Sequence, residues 1–255
     1  MAIDYYGSFP CKVRKSVSDQ ELLRMERARS RAQTALQRLA NMPGHEGNPE
    51  PDLTVKIVVL GREGQQVTQA SVNDLLREAA PLDELAVSCA GCPANIRQTD
   101  FGCGGSIHYP ISARAEDWLL ERLPDDLKSA AGTLLTHATT EFGFDGAVID
   151  AVRNRRDFYA AEVAAVREWN SAPAGKLRIT SSQILQMTFA VGSLQAAHAK
   201  LVALFLGFLN DHGFPSEDPE NRPLPDDDPS IAELKHFFAC AALAGACDVS
   251  MMIDA

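Results

Sequence analysis

The sequence predicts an α+β protein: a small N-terminal α/β layer, ordered βαβα around a cysteine-rich loop, followed by a mostly helical C-terminal half. Three observations predict it. Up to about residue 112, β-branched runs (IDYYGSFPCKV, LTVKIVVLG, SIHYPI) alternate with stretches of helical spacing. From Glu116 onward helical spacing dominates. Between the two lies SCAGCPANIRQTDFGCGGSIH at 88–108, which holds three of the six cysteines. The expected division is residues 1–112 for the α/β region and 113–255 for a helical bundle region, and 255 residues can bury a sizeable core without staples.

IDYYGSFPCKV reads as a strand, with Pro10 suited to an edge or a bulge. Ser18 followed by Glu21 is a capping box, and Leu22, Met25, Ala28, Ala32, Leu36 and Leu39 recur at helical spacing behind it. NMPGHEGNPEPD breaks that helix. LTVKIVVLG at 53–61 has the form of a strand covered on both faces, so strand, helix and strand predict a parallel βαβ unit. Ser71 with Asp74 starts a second helix, and SIHYPI is a further strand. In the second half EDWLLERL, SAAGTLLTHATTEF and DFYAAEVAAVREW read as helices, and the apolar stretch from Ser181 to Gly213 reads as one long central helix. Residues 214–230, rich in Pro and Asp, read as a surface connector before a last helix, IAELKHFFACAALAGAC.

Charge and composition narrow the function. The opening residues lack the basic and apolar succession of a secretory signal, and LVALFLGFL is too short to span a bilayer, so a cytoplasmic protein without a membrane partner is expected. The formal net charge of −10 argues against general nucleic-acid binding. Eight Lys/Arg against three acids between Lys12 and Arg38 give that stretch a local +5 within an otherwise acidic chain. A basic helix at 12–38 is usually a solvated face; its functional reading is an acidic protein partner.

A reducing compartment disfavours disulfides and turns clustered thiols toward metal or redox chemistry. Cys89 and Cys92 form a CxxC pair, and Cys103 adds a third thiolate in a glycine-rich loop whose N–H groups can approach the sulfurs. The fourth metal ligand is either His108, which gives a Cys3His zinc site, or Cys11 from the first strand, which gives four thiolates. Zinc is slightly favoured. A [4Fe–4S] cluster on Cys11, Cys89, Cys92 and Cys103 is the close alternative, consistent with Pro93 after Cys92. A third reading is a dithiol CxxC, whose first thiol would be activated at a helix N-terminus.

Weaker signals have simpler explanations. Cys240 and Cys247, in a run of small residues, read as core; His137 and Glu141 read as a surface pair; His198 and His236 read as interior or boundary histidines. GREGQ at 61–65 reads as a turn. No nucleotide, acyl-transfer or metalloprotease motif is present in the sequence. The expected function is a metal-thiolate protein with a structural or regulatory cysteine site and a partner-binding helical half. An iron–sulfur enzyme or a dithiol redox protein is the alternative, so the sequence leaves catalysis open.

Overall fold

The computed structural model describes residues 2–41, 53–61, 64–155, 157–171, 175–189 and 192–254. It is a mixture of helices and small antiparallel sheets, in two compact units: Cys11–Ala90, and Met1–Pro10 together with Gly91–Ala255.

The smaller unit begins with a 3-10 turn, Val13–Lys15, and then α1, Asp19–Ala40. The predicted capping box is present: Glu21 N–H donates to the Ser18 hydroxyl at 3.2 Å, and Ser18 N–H donates to the Glu21 carboxylate at 2.9 Å. Leu22, Met25, Ala28 and Ala32 are buried as their spacing requires, while Leu36 and Leu39, in the last turns, are only half-buried. Strands β2 (Thr54–Gly61) and β3 (Gly64–Ser71) follow, then α2 (Val72–Ala79), capped by Ser71 as expected, and α3 (Pro81–Ala86). Val72, Leu75, Ala79 and Leu82 are buried with the apolar stripe of α1. Beyond Asn41 the breaker NMPGHEGNPEPD lies outside the described residues, as do positions 62 and 63 in GREGQ.

The parallel βαβ expectation is overturned here. β2 pairs antiparallel with β3 in a hairpin, Thr54 opposite Ser71, and joins neither of the other sheets. Nor is its described part covered on both faces, since Thr54 and Lys56 are exposed and Val55 and Ile57 half-buried. An uninterrupted β-branched run marks strand propensity, but it does not tell a core strand from one arm of a hairpin.

The larger unit is organised by β1, Ala2–Gly7, which lies between β4 (Gly104–His108) and β7 (Met251–Asp254), antiparallel to both. Far from being an edge strand, it is the middle of the sheet, and Pro10 falls outside it. Next come α4 (Ala113–Glu121), α5 (Ala130–Glu141), α6 (Ala147–Arg153), the hairpin β5 (Val166–Ser171) and β6 (Gly175–Thr180), α7 (Ser181–Phe189), α8 (Ala196–Phe205) and α9 (Pro229–Ala246). One core holds Ile3, Tyr5, Ile107, Leu119, Leu185, Phe205, Phe237 and Phe238, all nearly solvent-free. The α8–α9 packing explains the small-residue run: a Cβ on Gly245 would stand 2.8 Å from the Lys200 Cα. Cys240 is buried in that packing as expected, whereas Cys247, at the end of α9, is exposed.

Three expectations for this half are corrected. DFYAAEVAAVREW is not a helix, because its second part enters β5, where Trp169 is buried and its indole N–H donates to the Pro124 carbonyl at 3.1 Å. The single long helix from Ser181 is instead α7 and α8, separated by a stretch in which Gly192 takes a left-handed φ of 76° and Leu194 bridges Met251. The 214–230 connector is tied down: Asn221 is buried, donates to the Gly207 carbonyl at 2.9 Å and accepts from Arg122 at 2.6 Å. Its last residues start α9, where the Asp228 carboxylate caps the helix and also accepts from Ser112, the cap of α4, at 2.8 Å.

A buried charge network fixes α4, α6 and α7 against one another. Arg153, 2% exposed, makes a bidentate pair with fully buried Glu116 at 2.9 and 2.6 Å. Its remaining donors reach the hydroxyls of Ser181 and Ser182 and the Ala161 carbonyl, and its plane covers the Tyr159 ring at 4.9 Å. Ser181 in turn donates to Glu116, and Ser182 to Asp150. Removing one member of such a pair strands a charge, while replacing both is far milder. Arg153→Met should therefore lower the unfolding free energy by about 3–5 kcal/mol, and adding Glu116→Leu should recover most of it, as read from urea unfolding midpoints.

Candidate functional site

The cysteine segment starts where a helical run ends. α3 continues into a 3-10 turn, Val87–Cys89, so buried Cys89 sits at the C-terminal end of helix, the negative end of its dipole. This opposes the dithiol mechanism, which needs the positive end to favour a thiolate. The chain then reverses through Gly91, at φ 71°, and a turn in which Asn95 N–H donates to the Cys92 carbonyl at 2.9 Å. Gln98 and Phe101 also have left-handed φ values, 53° and 55°. For a residue as bulky as Phe101 that conformation is costly, and the burial of its ring holds it there.

Cys103 closes the segment at the start of β4. Its carbonyl accepts from Gly7 N–H at 3.1 Å and from the Cys240 thiol at 3.2 Å. The glycines that follow are required by β1 more directly than by any sulfur. A Cβ on Gly104 would stand 2.2 Å from the Tyr6 ring, and one on Gly105 would meet Arg97 Nη1 at 2.7 Å and the Tyr5 hydroxyl at 2.8 Å.

The predicted ligands are distributed as follows. Cys92 and Cys103 are half-buried in the larger unit and pack against its core, which includes Cys240; Cys11 and Cys89 belong to the smaller unit. All six cysteines are thiols. His108 is at the far end of β4, five residues or roughly 17 Å of extended chain from Cys103. Its exposed imidazole is engaged by Glu233, Nδ1 to Oε1 at 2.7 Å, while Glu233 Oε2 accepts its backbone N–H at 2.7 Å. Among the described residues, no three His, Cys, Asp or Glu side chains are already gathered as a metal site.

Next to the cysteine segment the fold gathers polar side chains that were not singled out as a site in the sequence. Glu233, His236 and Cys240 occur at i, i+3 and i+7 of α9, hence along one face, and that spacing was the available signal. Tyr5 reaches this face from β1, its ring edge-on to Phe237 at 4.9 Å, and Arg97 reaches it from the cysteine segment, donating to the Gly104 carbonyl at 3.3 Å. Burial pushes the Tyr5 phenol far up, so it stays a neutral donor. Desolvation, and then the Arg97 charge, hold His236 below its ordinary range against the opposite pull of Glu233. His137 and Glu141 form the expected surface pair at 2.7 Å, and His198, held low by desolvation, is half-buried beside Phe144.

The basic stretch is largely occupied within its own unit. Arg14 pairs with Asp19, Arg24 with Glu78 at 2.9 Å and Arg29 with Asp83 at 2.5 Å, while Lys12, Lys15 and Arg38 are exposed. No described helix is long and apolar enough to cross a membrane.

Compared with protein-family models, curated proteins and solved structures, the chain matches none. Thiol reactivity tests the cysteine placements: in the folded, metal-free protein Cys92, Cys103 and Cys247 should react with an alkylating reagent well before Cys240, which should label only on unfolding, as read by peptide mass spectrometry.

Proposed function

We propose that this is a metal-thiolate protein whose cysteine segment takes zinc through Cys89, Cys92 and Cys103, a structural or regulatory centre beside a partner-binding helical half. The supporting observation is the segment itself. It presents thiols at Cys92 and Cys103, on the margin of a core and not inside it, and it bends between them through backbone conformations that only surrounding structure can maintain. Cys89 joins them by covalent spacing alone. Because these ligands are not gathered beforehand, the metal would draw them together, and its binding energy would stabilise the fold.

His108 is a poor fourth donor for the same site, given its position on β4 and its contact with Glu233. Cys11 is the better one by chain connectivity: it follows Gly7 by four residues, and Gly7 N–H is bonded to Cys103. A four-thiolate set also suits a [4Fe–4S] cluster, and Pro93 after Cys92 is the observation that keeps this second reading. The exposed Lys12, Lys15 and Arg38 are the residues left to meet an acidic partner.

Anaerobic purification followed by metal analysis and a visible spectrum tests the proposal. The expected result is one zinc per chain without colour; a brown protein with iron and sulfide would select the cluster, and absence of any bound metal would overturn both. Cys92→Ser and Cys103→Ser should each lower metal occupancy severely and Cys11→Ser substantially, while His108→Ala should retain it.

A further inference from the structure

The polar groups gathered by β1, β4 and α9 are short of partners in a particular way. Tyr5 is 1% exposed, yet its hydroxyl donates to no described residue. Arg97 is exposed, is paired with no described carboxylate, and uses a single donor, the 3.3 Å bond to Gly104. The half-buried His236 ring makes no hydrogen bond to a described residue. Glu233, the acid that acts on Tyr5 and His236, already has both oxygens on His108.

Two of these groups lie side by side. The position a Cβ of Gly105 would take is 2.7 Å from Arg97 Nη1 and 2.8 Å from the Tyr5 hydroxyl, so the two groups close on the same stretch of β4 and lie within about 5.5 Å of each other. The Arg97 charge acts on both Tyr5 and His236, and its guanidinium is tied to β4 by the bond to the Gly104 carbonyl. Arg97 itself is carried by the turn with left-handed Gln98 and Phe101, and its own N–H donates to the Gly102 carbonyl at 3.3 Å. The guanidinium is thus presented by a fixed loop, open to solvent on one side and backed by a buried phenol on the other.

We infer that Arg97, Tyr5 and His236 form a recognition site for an oxyanion, the carboxylate or phosphate group of a small ligand. A guanidinium supplies a planar pair of charged donors matched to either group, and a desolvated neutral phenol adds a third donor with no charge of its own. This inference does not rest on the metal reading, since none of the three is a proposed metal ligand.

Titration with inorganic phosphate and, separately, acetate at constant ionic strength tests it, followed by the backbone amide NMR signals of Gly104 and Gly105 and the Arg97 Nε–H signal. Saturable shifts are expected, and the probe that saturates at lower concentration identifies the oxyanion class. Arg97→Gln should weaken binding by about tenfold or more, and the near-isosteric Tyr5→Phe by severalfold, with metal content unchanged in both. Linear, non-saturating shifts with both probes, or an unchanged affinity in both variants, would overturn the inference. Arg97→Lys keeps the test open if Arg97→Gln fails to fold: it retains the charge but not the planar pair of donors, and should also reduce affinity severalfold.

Discussion

The larger unit depends on the pairing of one short strand. β1 lies between β4 and β7, and its Tyr5 and Ile3 side chains enter the core shared with α9. Strands from three distant parts of the chain meet there, so the loop-closure entropy is recovered only when all three are in place. The pairing of Tyr5 with Gly105 and of Tyr6 with Gly104 also sets the register of the cysteine segment, which enters β4 directly from Cys103. A one-residue slip would send Tyr5 to the opposite face and remove it from Arg97 and His236.

Two glycines make that register possible. Side chains at 104 and 105 would collide with the tyrosines and with Arg97, so the GCGG run reflects close packing on β1 more than approach of amides to sulfur. The same packing leaves polar groups along the α9 face, where Glu233 is consumed by His108 while Tyr5, Arg97 and His236 keep donors to spare. The other charged network of this unit, Arg153 with Glu116 and two serines, is closed: every guanidinium donor has an acceptor and water is excluded. One cluster serves packing, and the other remains able to take a ligand.

Local signals in the sequence were legible, and distant pairings were not. Ser18 with Glu21, Ser71 with Asp74 and the last helix were all readable because caps and helical spacing are set within a few residues. The mixed α+β character was readable as well, but not its layering. The parallel βαβ unit failed because β1 and β2, similar as strings of β-branched and aromatic residues, belong to different sheets. β7, four residues long, carries no pattern of its own, and the 181–213 stretch concealed its break because Gly192 and Leu194 stand in an otherwise apolar run. At the candidate site, the sequence indicated the cysteine segment and left the fourth ligand between Cys11 and His108, since distance along the chain does not tell that β4 is extended and carries His108 away from Cys103. Tyr5, Arg97 and His236 come from elements far apart in sequence, and only the α9 spacing hinted at them.

The proposed metal centre lies on a segment whose entry into β4 is held in register by β1. X-ray absorption at the metal edge of the purified protein tests that centre most directly. The prediction is a first shell dominated by sulfur at about 2.3 Å, without the outer-shell scattering of an imidazole. A shell of nitrogen and oxygen alone would contradict it.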